Sequence, residues 1–342
     1  MVSKKLLLSV ISFSILFVTL AYGLDVNLSM EIWDRWTIVN QDSITENYMS
    51  VERAYFRIEP KFGDYIKGRF NIDVFSSDKG NDANGAGLKL KYAYLDFVNL
   101  IDYHTITVGL MKNYFGTIYD WEYPTIEKDI NDLEHVLSST DYGLGVTGKF
   151  DYFTYNVAVY NGEGYKKTGD DVNTNPCFMG NVRISPIEYF TIGGSIRYHK
   201  YGTVDSINDE YNTQMAYAGV ANINFDPINI WFEYIVDQDD DPNLDTTITA
   251  QGFTVMPVLS LKNMTGADVE LVARYDQWDP NTDVDDDGHN RIIAGINWNA
   301  YKDGSNKVMI QANYERLSWE ADGVDPVDVF ALQFRWKFKT AI

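Results

Sequence analysis

The chain holds a single cysteine, Cys177, so no disulfide can form within it, and a silent thiol is the expected role. Long apolar runs are missing as well. Beyond the N-terminal segment no stretch of about 18 consecutive apolar residues occurs, which leaves no transmembrane helix to draw on. Positive charge is scarce, with 28 Lys and Arg against 49 Asp and Glu, and this excludes nucleic acid as a partner. Histidine is scarcer still: His104, His135, His199 and His289 show no zinc-ligand spacing, and no Gly-x-Ser-x-Gly element accompanies them. His135 with Ser138 and Ser139 faintly echoes a hydrolase pair, but helical spacing explains it equally well. No catalytic residue, cofactor or metal is expected. What the chain does have is aromatic side chains, with 18 Phe, 24 Tyr and 8 Trp. So many rings need burial or an interface to anchor them.

Residues 1–23 carry the marks of a cleaved export signal. Lys4 and Lys5 form a positive start, Leu6 to Leu20 is mostly apolar, and Ala21-Tyr22-Gly23 supplies small residues for cleavage. No Cys follows, so no lipid anchor is expected there. Cleavage near Gly23 would leave residues 24–342 as one domain with a formal charge of −23, since the segment removed holds two lysines and no acid.

From there on, period-two alternation dominates. Phe330, Leu332, Phe334, Trp336 and Phe338 share one face of a segment whose other face is Ala331, Gln333, Arg335 and Lys337. Val308, Ile310, Ala312 and Tyr314 oppose Gln311, Asn313 and Glu315 in the same way. The pattern predicts strands near 25–39, 48–61, 66–76, 88–98, 103–113, 140–150, 152–161, 177–187, 190–200, 213–226, 228–237, 247–260, 267–277, 290–300, 306–318 and 327–338, sixteen in all. Short links such as Gly63-Asp64-Tyr65, Asp151, Glu188-Tyr189 and Asp226-Pro227 alternate with long acidic ones at 77–87, 114–139, 162–176, 201–212, 238–246 and 278–289. Apolar-out, polar-in strands with one short-turned rim describe an all-β, transmembrane antiparallel β-barrel, closed because lipid tolerates no open sheet edge. Trp33, Trp36, Trp298, Trp336, Tyr198 and Tyr275 are candidates for aromatic girdles at the headgroup level. A soluble exported β-protein and a barrel enzyme are the rival classes.

Arg53-Ala54-Tyr55-Phe56-Arg57, the run Ser139-Thr140-Asp141-Tyr142-Gly143-Leu144-Gly145-Val146-Thr147-Gly148-Lys149-Phe150, and Tyr155-Asn156-Val157-Ala158-Val159-Tyr160-Asn161-Gly162-Glu163-Gly164 carry a family resemblance. With them the chain resembles the sixteen-stranded Gram-negative outer-membrane porins, and among these the porin O/P (phosphate-selective porin) family. The resemblance implies a cell outer membrane location and passive diffusion of small hydrophilic solutes and ions. As partners it implies outer-membrane lipid, lipopolysaccharide, the barrel-assembly machinery and two further copies in a homotrimer. It also implies a third external loop folded into the barrel, and an anion- or phosphate-selective variant of the function. The family's dense basic pore lining has no counterpart in a chain this acidic.

Segment 114–139 is the candidate constriction loop. Ile126, Ile130, Leu133 and Leu137 fall at helical spacing behind Pro124, predicting a helix either inside the barrel or over its mouth. The loop carries Asp120, Glu122, Glu127, Asp129, Asp132 and Glu134. Strand phases put Arg53, Arg57, Lys67 and Arg69 together on the opposite wall. A basic wall facing an acidic loop would give a transverse field that sorts solutes by charge. Pairing of these arginines with Glu31, Glu59 and Asp73 is the structural alternative. With Arg183 and Arg197 set against Glu233, Glu270, Asp276 and Glu315, the lumen is nearly balanced, which predicts a mild cation preference at low salt and no tight phosphate site. Asp283-Val284-Asp285-Asp286-Asp287-Gly288 begins like a calcium loop, but its twelfth position is Ala294 rather than Glu. A solvated acidic loop is expected there.

Overall fold

The computed structural model describes residues 25–77, 85–167, 169, 175–202, 211–242 and 246–341; residues 1–24, where the export signal is expected, and parts of four long connections lie outside them. Sixteen antiparallel strands run in chain order. They are β1 (Asp25–Gln41), β2 (Ile44–Phe62), β3 (Ile66–Ser76), β4 (Ala86–Val98), β5 (His104–Lys112), β6 (Thr140–Lys149), β7 (Phe153–Tyr160) and β8 (Cys177–Ile187), then β9 (Phe190–Tyr201), β10 (Asn212–Phe225), β11 (Ile228–Asp241), β12 (Thr246–Ser260), β13 (Val269–Asp279), β14 (His289–Asp303), β15 (Asn306–Trp319) and β16 (Val327–Ala341). Each strand pairs with its sequence neighbours, and β1 pairs with β16 from Asn27↔Ala341 to Asn40↔Asp328. The sheet is a closed barrel. Closure leaves no unpaired edge, which a sheet in lipid requires. No helix among the described residues is long and apolar enough to cross a membrane.

Alternation sorts the side chains cleanly. Phe330, Phe334 and Phe338 on β16, Ile192 and Ile196 on β9, and Ile292, Ile296 and Trp298 on β14 point outward and are exposed. Their neighbours Gln333, Ser195, Arg197, Arg291 and Asn297 point inward and are buried. Among the described residues four irregularities interrupt the ladders: two near Ile184–Ile187 and Asn299–Tyr301, and two bulges, between Trp33 and Asp34 opposite β2 and between Asn71 and Ile72 opposite β4. A bulge bends a strand and re-aims the extra residue. Here the extra residues Glu52 and Lys91 join the lumen face, Glu52 pairing with Arg35 at 3.3 Å and Lys91 reaching Ser139 Oγ at 2.5 Å.

Three expectations are corrected. The first long-side connection is only Asp42-Ser43, because β1 and β2 run on to a tight turn in which Asp42 takes φ 50°. Alternation of short and long links therefore fails at that point. The helix expected over 126–137 shrinks to one turn, α1 (Ile130–Leu133), capped by the Asp129 side chain, and His135 with φ 60° prevents its continuation. Finally, Trp33 lies on the lumen face and is 2% exposed, whereas Trp36, Trp298, Trp336, Tyr198 and Tyr275 point outward. A second helical turn, α2 (Lys262–Thr265), closes the link between β12 and β13 and ends on Gly266 with φ 76°.

Candidate functional site

Residues 113–139, between β5 and β6, bond to inward side chains of strands far along the chain. The apolar side of this segment, Phe115, Ile118, Ile130, Val136 and Leu137, packs on inward residues of the wall that include Tyr160, Met179, Ala216 and Ile235. Small alanines on β10 leave the room that the loop's larger side chains fill. Polar contacts then fix the backbone. Gly116 N–H donates to Ser195 Oγ at 3.0 Å, Gln214 donates to the Val136 carbonyl at 3.1 Å, and Arg183 donates to the Gly116 carbonyl. Gly116 has φ 48°, and a Cβ there would stand 1.9 Å from Glu233 Oε1. Only glycine fits.

At the centre of this attachment two carboxyl groups meet. Asp129 on the loop and Glu233 on β11 are 2% and 0% exposed. Asn131 Nδ2 donates to Asp129 Oδ1 at 2.8 Å and to Glu233 Oε1 at 3.1 Å, and Thr117 N–H donates to Glu233 Oε1 at 3.1 Å. The Thr117 hydroxyl contacts an oxygen of both acids. One hydroxyl carries one proton and can donate to only one of them. The other contact is a hydrogen bond only when that carboxyl is protonated and donates to Thr117. Burial accordingly pushes the Asp129 pKa up, against the pull of the Thr117 and Asn131 hydrogen bonds and of Arg274.

The tip of the loop reaches the opposite side of the barrel. Asn297 donates to the Pro124 carbonyl at 2.8 Å, Gln311 to the Tyr123 carbonyl at 3.1 Å, and Arg335 to the same carbonyl at 3.1 Å. Asn313 Oδ1 accepts from the Ile126 N–H at 2.5 Å. The Tyr123 ring stands edge-on to Trp33 at 4.7 Å, and its hydroxyl accepts from Arg53. Arg53 and Arg335 stack on Trp33 at 4.7 and 4.3 Å from the ring centroid. This cage explains why Trp33 turns inward. Further round the wall Arg274 is fully enclosed, ion-paired with Asp276 at 2.7 Å and aimed at the Lys128 carbonyl, and Arg291 joins Asp276, Glu134 and Glu315.

The wall of β2, β3 and β4 is different. Arg57 pairs with Glu31 at 3.0 Å, and Arg69 pairs with Glu59 at 2.6 Å with its side chain 29% exposed, against 0% for Arg274. Arg69 lies over Tyr92 and Tyr94 at 5.5 and 6.0 Å, and Arg57 over Tyr55 at 4.7 Å. Facing them, Asp120 and Glu122 on the loop are exposed and within electrostatic reach of Lys112. The enclosing protein raises the Asp120 pKa to about 6, opposed by Arg183 and Lys112.

The ten residues singled out from sequence thus divide. Arg57, Arg69, Asp120 and Glu122 border the same side of the lumen. Arg53 is committed to the Trp33–Tyr123 cage. Lys67 is exposed near the short turn, opposite Lys61 and Asp96, away from the loop acids. Asp129 is buried in the attachment, Glu134 pairs with His289 and Arg291, and Glu127 Oε1 accepts from the Lys128 N–H at 2.8 Å. Asp132 is half-buried. Trp33, Tyr123, Arg274 and Arg291 are site residues the sequence did not single out, although the inward phase of Val272, Arg274, Asp276 and Trp278 follows from outward Leu271, Ala273 and Tyr275. Of the histidines, His104 contacts the Tyr155 hydroxyl, His289 contacts Glu134, and His199 lies against Arg197. Among the described residues no cluster of three or more His, Cys, Asp or Glu could hold a metal ion.

Solved structures share this architecture over nearly the whole chain. The anion-selective porin from Comamonas acidovorans superposes with a TM-score of 0.64 at 12% identity, covering 92% of this chain and 100% of that one. The fold is the porin fold. The outer membrane channel DcaP of Acinetobacter baumannii matches with a TM-score of 0.64 at 13% identity (92% and 97% coverage). Salmonella typhi OmpF, in complex with daunomycin, matches with 0.60 at 14% identity (92% and 97% coverage). No protein-family model and no curated protein sequence matches the chain. At such identities the likeness is one of fold alone.

Proposed function

We propose that this protein is an outer-membrane porin through which small polar solutes and ions diffuse passively. The supporting observation is the division of the lumen. Loop 113–139 packs against the wall from β8 to β16, whereas the inward side chains of β2–β4 beside it include the part-exposed Arg69–Glu59 pair. The passage then runs between Arg57 and Arg69 on the wall and Asp120 and Glu122 on the loop. Lys67, Glu127 and Asp132 contribute to the field at greater distance, and Asp129 and Glu134 act as fasteners of the loop. A low-dielectric wall focuses such a field.

Selectivity follows from pairing. Each wall arginine at the passage already has a carboxylate, so anions find no free guanidinium, while the excess of acids over bases raises the cation concentration at the mouth. The expected property is a mild cation preference at low salt with no tight phosphate site. Anion selectivity is the second reading, favoured by Arg53, Lys89 and Lys91 around the single Asp73. Planar-bilayer recording decides between them: the pore reading requires stepwise KCl conductance, and block by micromolar phosphate supports the second. The reading also includes export by a signal cleaved near Gly23, insertion by the barrel-assembly machinery beside lipopolysaccharide, and a homotrimer, as in the trimer form of Vibrio cholerae OmpT. Native mass spectrometry in detergent tests the trimer, and a mass of one chain refutes it.

A further inference from the structure

The side of the lumen assigned to the passage is lined by more rings than a field of charges needs. Tyr92 and Tyr94 come from the wall, and Tyr114 and Tyr119 come from the first limb of the loop, all part-exposed. Tyr92 and Tyr94 stand edge to face at 6.1 Å, Tyr114 and Tyr119 at 6.0 Å, and both wall tyrosines lie within electrostatic reach of Tyr114. Tyr94 and Tyr114 also pack against the same hydrophobic core under the loop, which brings the two ring pairs together as a tyrosine cluster. Between them stand the charge-neutral pairs Arg57–Glu31 and Arg69–Glu59, with Lys112 close to Asp120 and Glu122.

Resting on the pore reading above, we propose that this cluster is a binding subsite for neutral, ring-shaped polyhydroxylated solutes, that is, pyranose sugars of one or two rings. Each element of the site matches one part of such a solute. Tyrosine rings offer flat apolar faces to the axial C–H faces of a pyranose, which an open-chain polyol does not present. Neutral Arg–Glu pairs offer fixed donors and acceptors to hydroxyl groups without favouring either sign of charge. A small anion meets Glu31, Glu59 and Asp120 as readily as the two arginines, and a small cation meets the reverse, so neither gains from the cluster what a neutral ring gains. Binding must stay weak for transport, since a solute that binds tightly does not leave.

The test is single-channel recording of the full barrel in KCl with added maltose, glucose or mannitol. The pyranoses are expected to reduce the ion current saturably in the millimolar range, with current noise that reports residence. Mannitol at equal concentration should give only the linear reduction expected from viscosity. In a Tyr92→Leu/Tyr94→Leu variant, the half-saturating maltose concentration should rise several-fold, with heat-resistant barrel migration in gels checking the fold. Equal, linear effects of maltose and mannitol on the wild-type channel would overturn the sugar subsite, whatever the variant does. KCl conductance in the absence of sugar reports the pore reading separately, and its absence would remove both.

Discussion

Arg274 and Arg69 are both lumen arginines paired with a carboxylate at bonding distance, yet they live in different media. Arg274 is sealed between β13 and loop 113–139 and donates to the Lys128 carbonyl and the Thr125 hydroxyl of the loop, whereas Arg69 keeps part of its surface and lies over tyrosine rings. The same contrast holds between whole sides of the barrel. On β8–β15 the inward residues Arg183, Arg197, Glu233, Gln311 and Arg291 are buried because a loop covers them, and their polar groups serve as a rack for its backbone. On β2–β4 the loop touches the wall only at points such as Arg53–Tyr123 and Lys91–Ser139, and the Arg69–Glu59 pair keeps part of its surface. A porin fold can thus use one ladder of lumen residues as an interior core and another as a channel surface, and the route of a single loop decides which.

Removing the buried member should break the molecule most. Arg274→Met removes the nearest cation from Asp276, which keeps Arg291 at 3.4 Å, and frees the Lys128 carbonyl, and loss of one partner of a buried pair costs about 3 kcal/mol. Arg69→Met, in the exposed pair, should cost no more than about 1 kcal/mol. Thermal unfolding of both variants in the same detergent checks the ratio, and equal losses would abolish the distinction between the two sides. Next in size is Gly116→Val. The new side chain enters the Glu233 carboxylate from a backbone at φ 48°, so the loop should leave the wall and single-channel conductance should rise about two-fold or more. Unchanged conductance would show that the loop does not set the bore.

A pH series sharpens the account of the attachment. Because burial raises the Asp129 pKa above its unfolded value, the folded state favours the protonated acid. The resulting stability term is greatest below the unfolded value and is lost as pH rises through the folded one. Stability from this locus should therefore fall from acid toward neutral pH, and Asp129→Asn should flatten the slope. A steeper slope in that variant would contradict the protonated acid. Asp120, exposed and with a pKa of about 6, acts on permeation rather than on stability. Acidification through pH 6 should remove its charge and reduce cation preference modestly, an effect absent in Asp120→Asn.

Much of the barrel was legible because side-chain direction in a strand depends only on position along it. The sixteen strands, their closure, and the facing of Arg53, Arg57, Arg69, Glu31 and Glu233 all follow from period two. Departures arise where a distant contact overrides a local habit. Trp33 was assigned to a girdle by residue type, although its phase with Glu31 and Arg35 already placed it inside, where Arg53 and Arg335 take up its ring faces. The helical spacing of Ile126, Ile130, Leu133 and Leu137 reflects a loop face packed on a wall. Its backbone groups bond to Asn313, Gln214 and Arg274 from strands far along the chain, so a continuous helix has no advantage there. The pairing of Asp129 with Glu233 was illegible for the same reason, since no local pattern shows which of six loop acids will be buried.

The central claim is that one side of the lumen is a passage and the other a packed core. Reversal potentials across a planar bilayer in a KCl gradient test it most directly, measured for wild type, for Arg69→Gln and for Lys307→Gln, whose side chain lies on β15, outside the β2–β4 wall. The account predicts stepwise conductance with a small potential of cation sign that fades as salt rises, a further shift toward cations in Arg69→Gln, and a smaller shift in Lys307→Gln. Absence of conductance, an anion-sign potential in the wild type, or a larger shift from Lys307→Gln than from Arg69→Gln would contradict it.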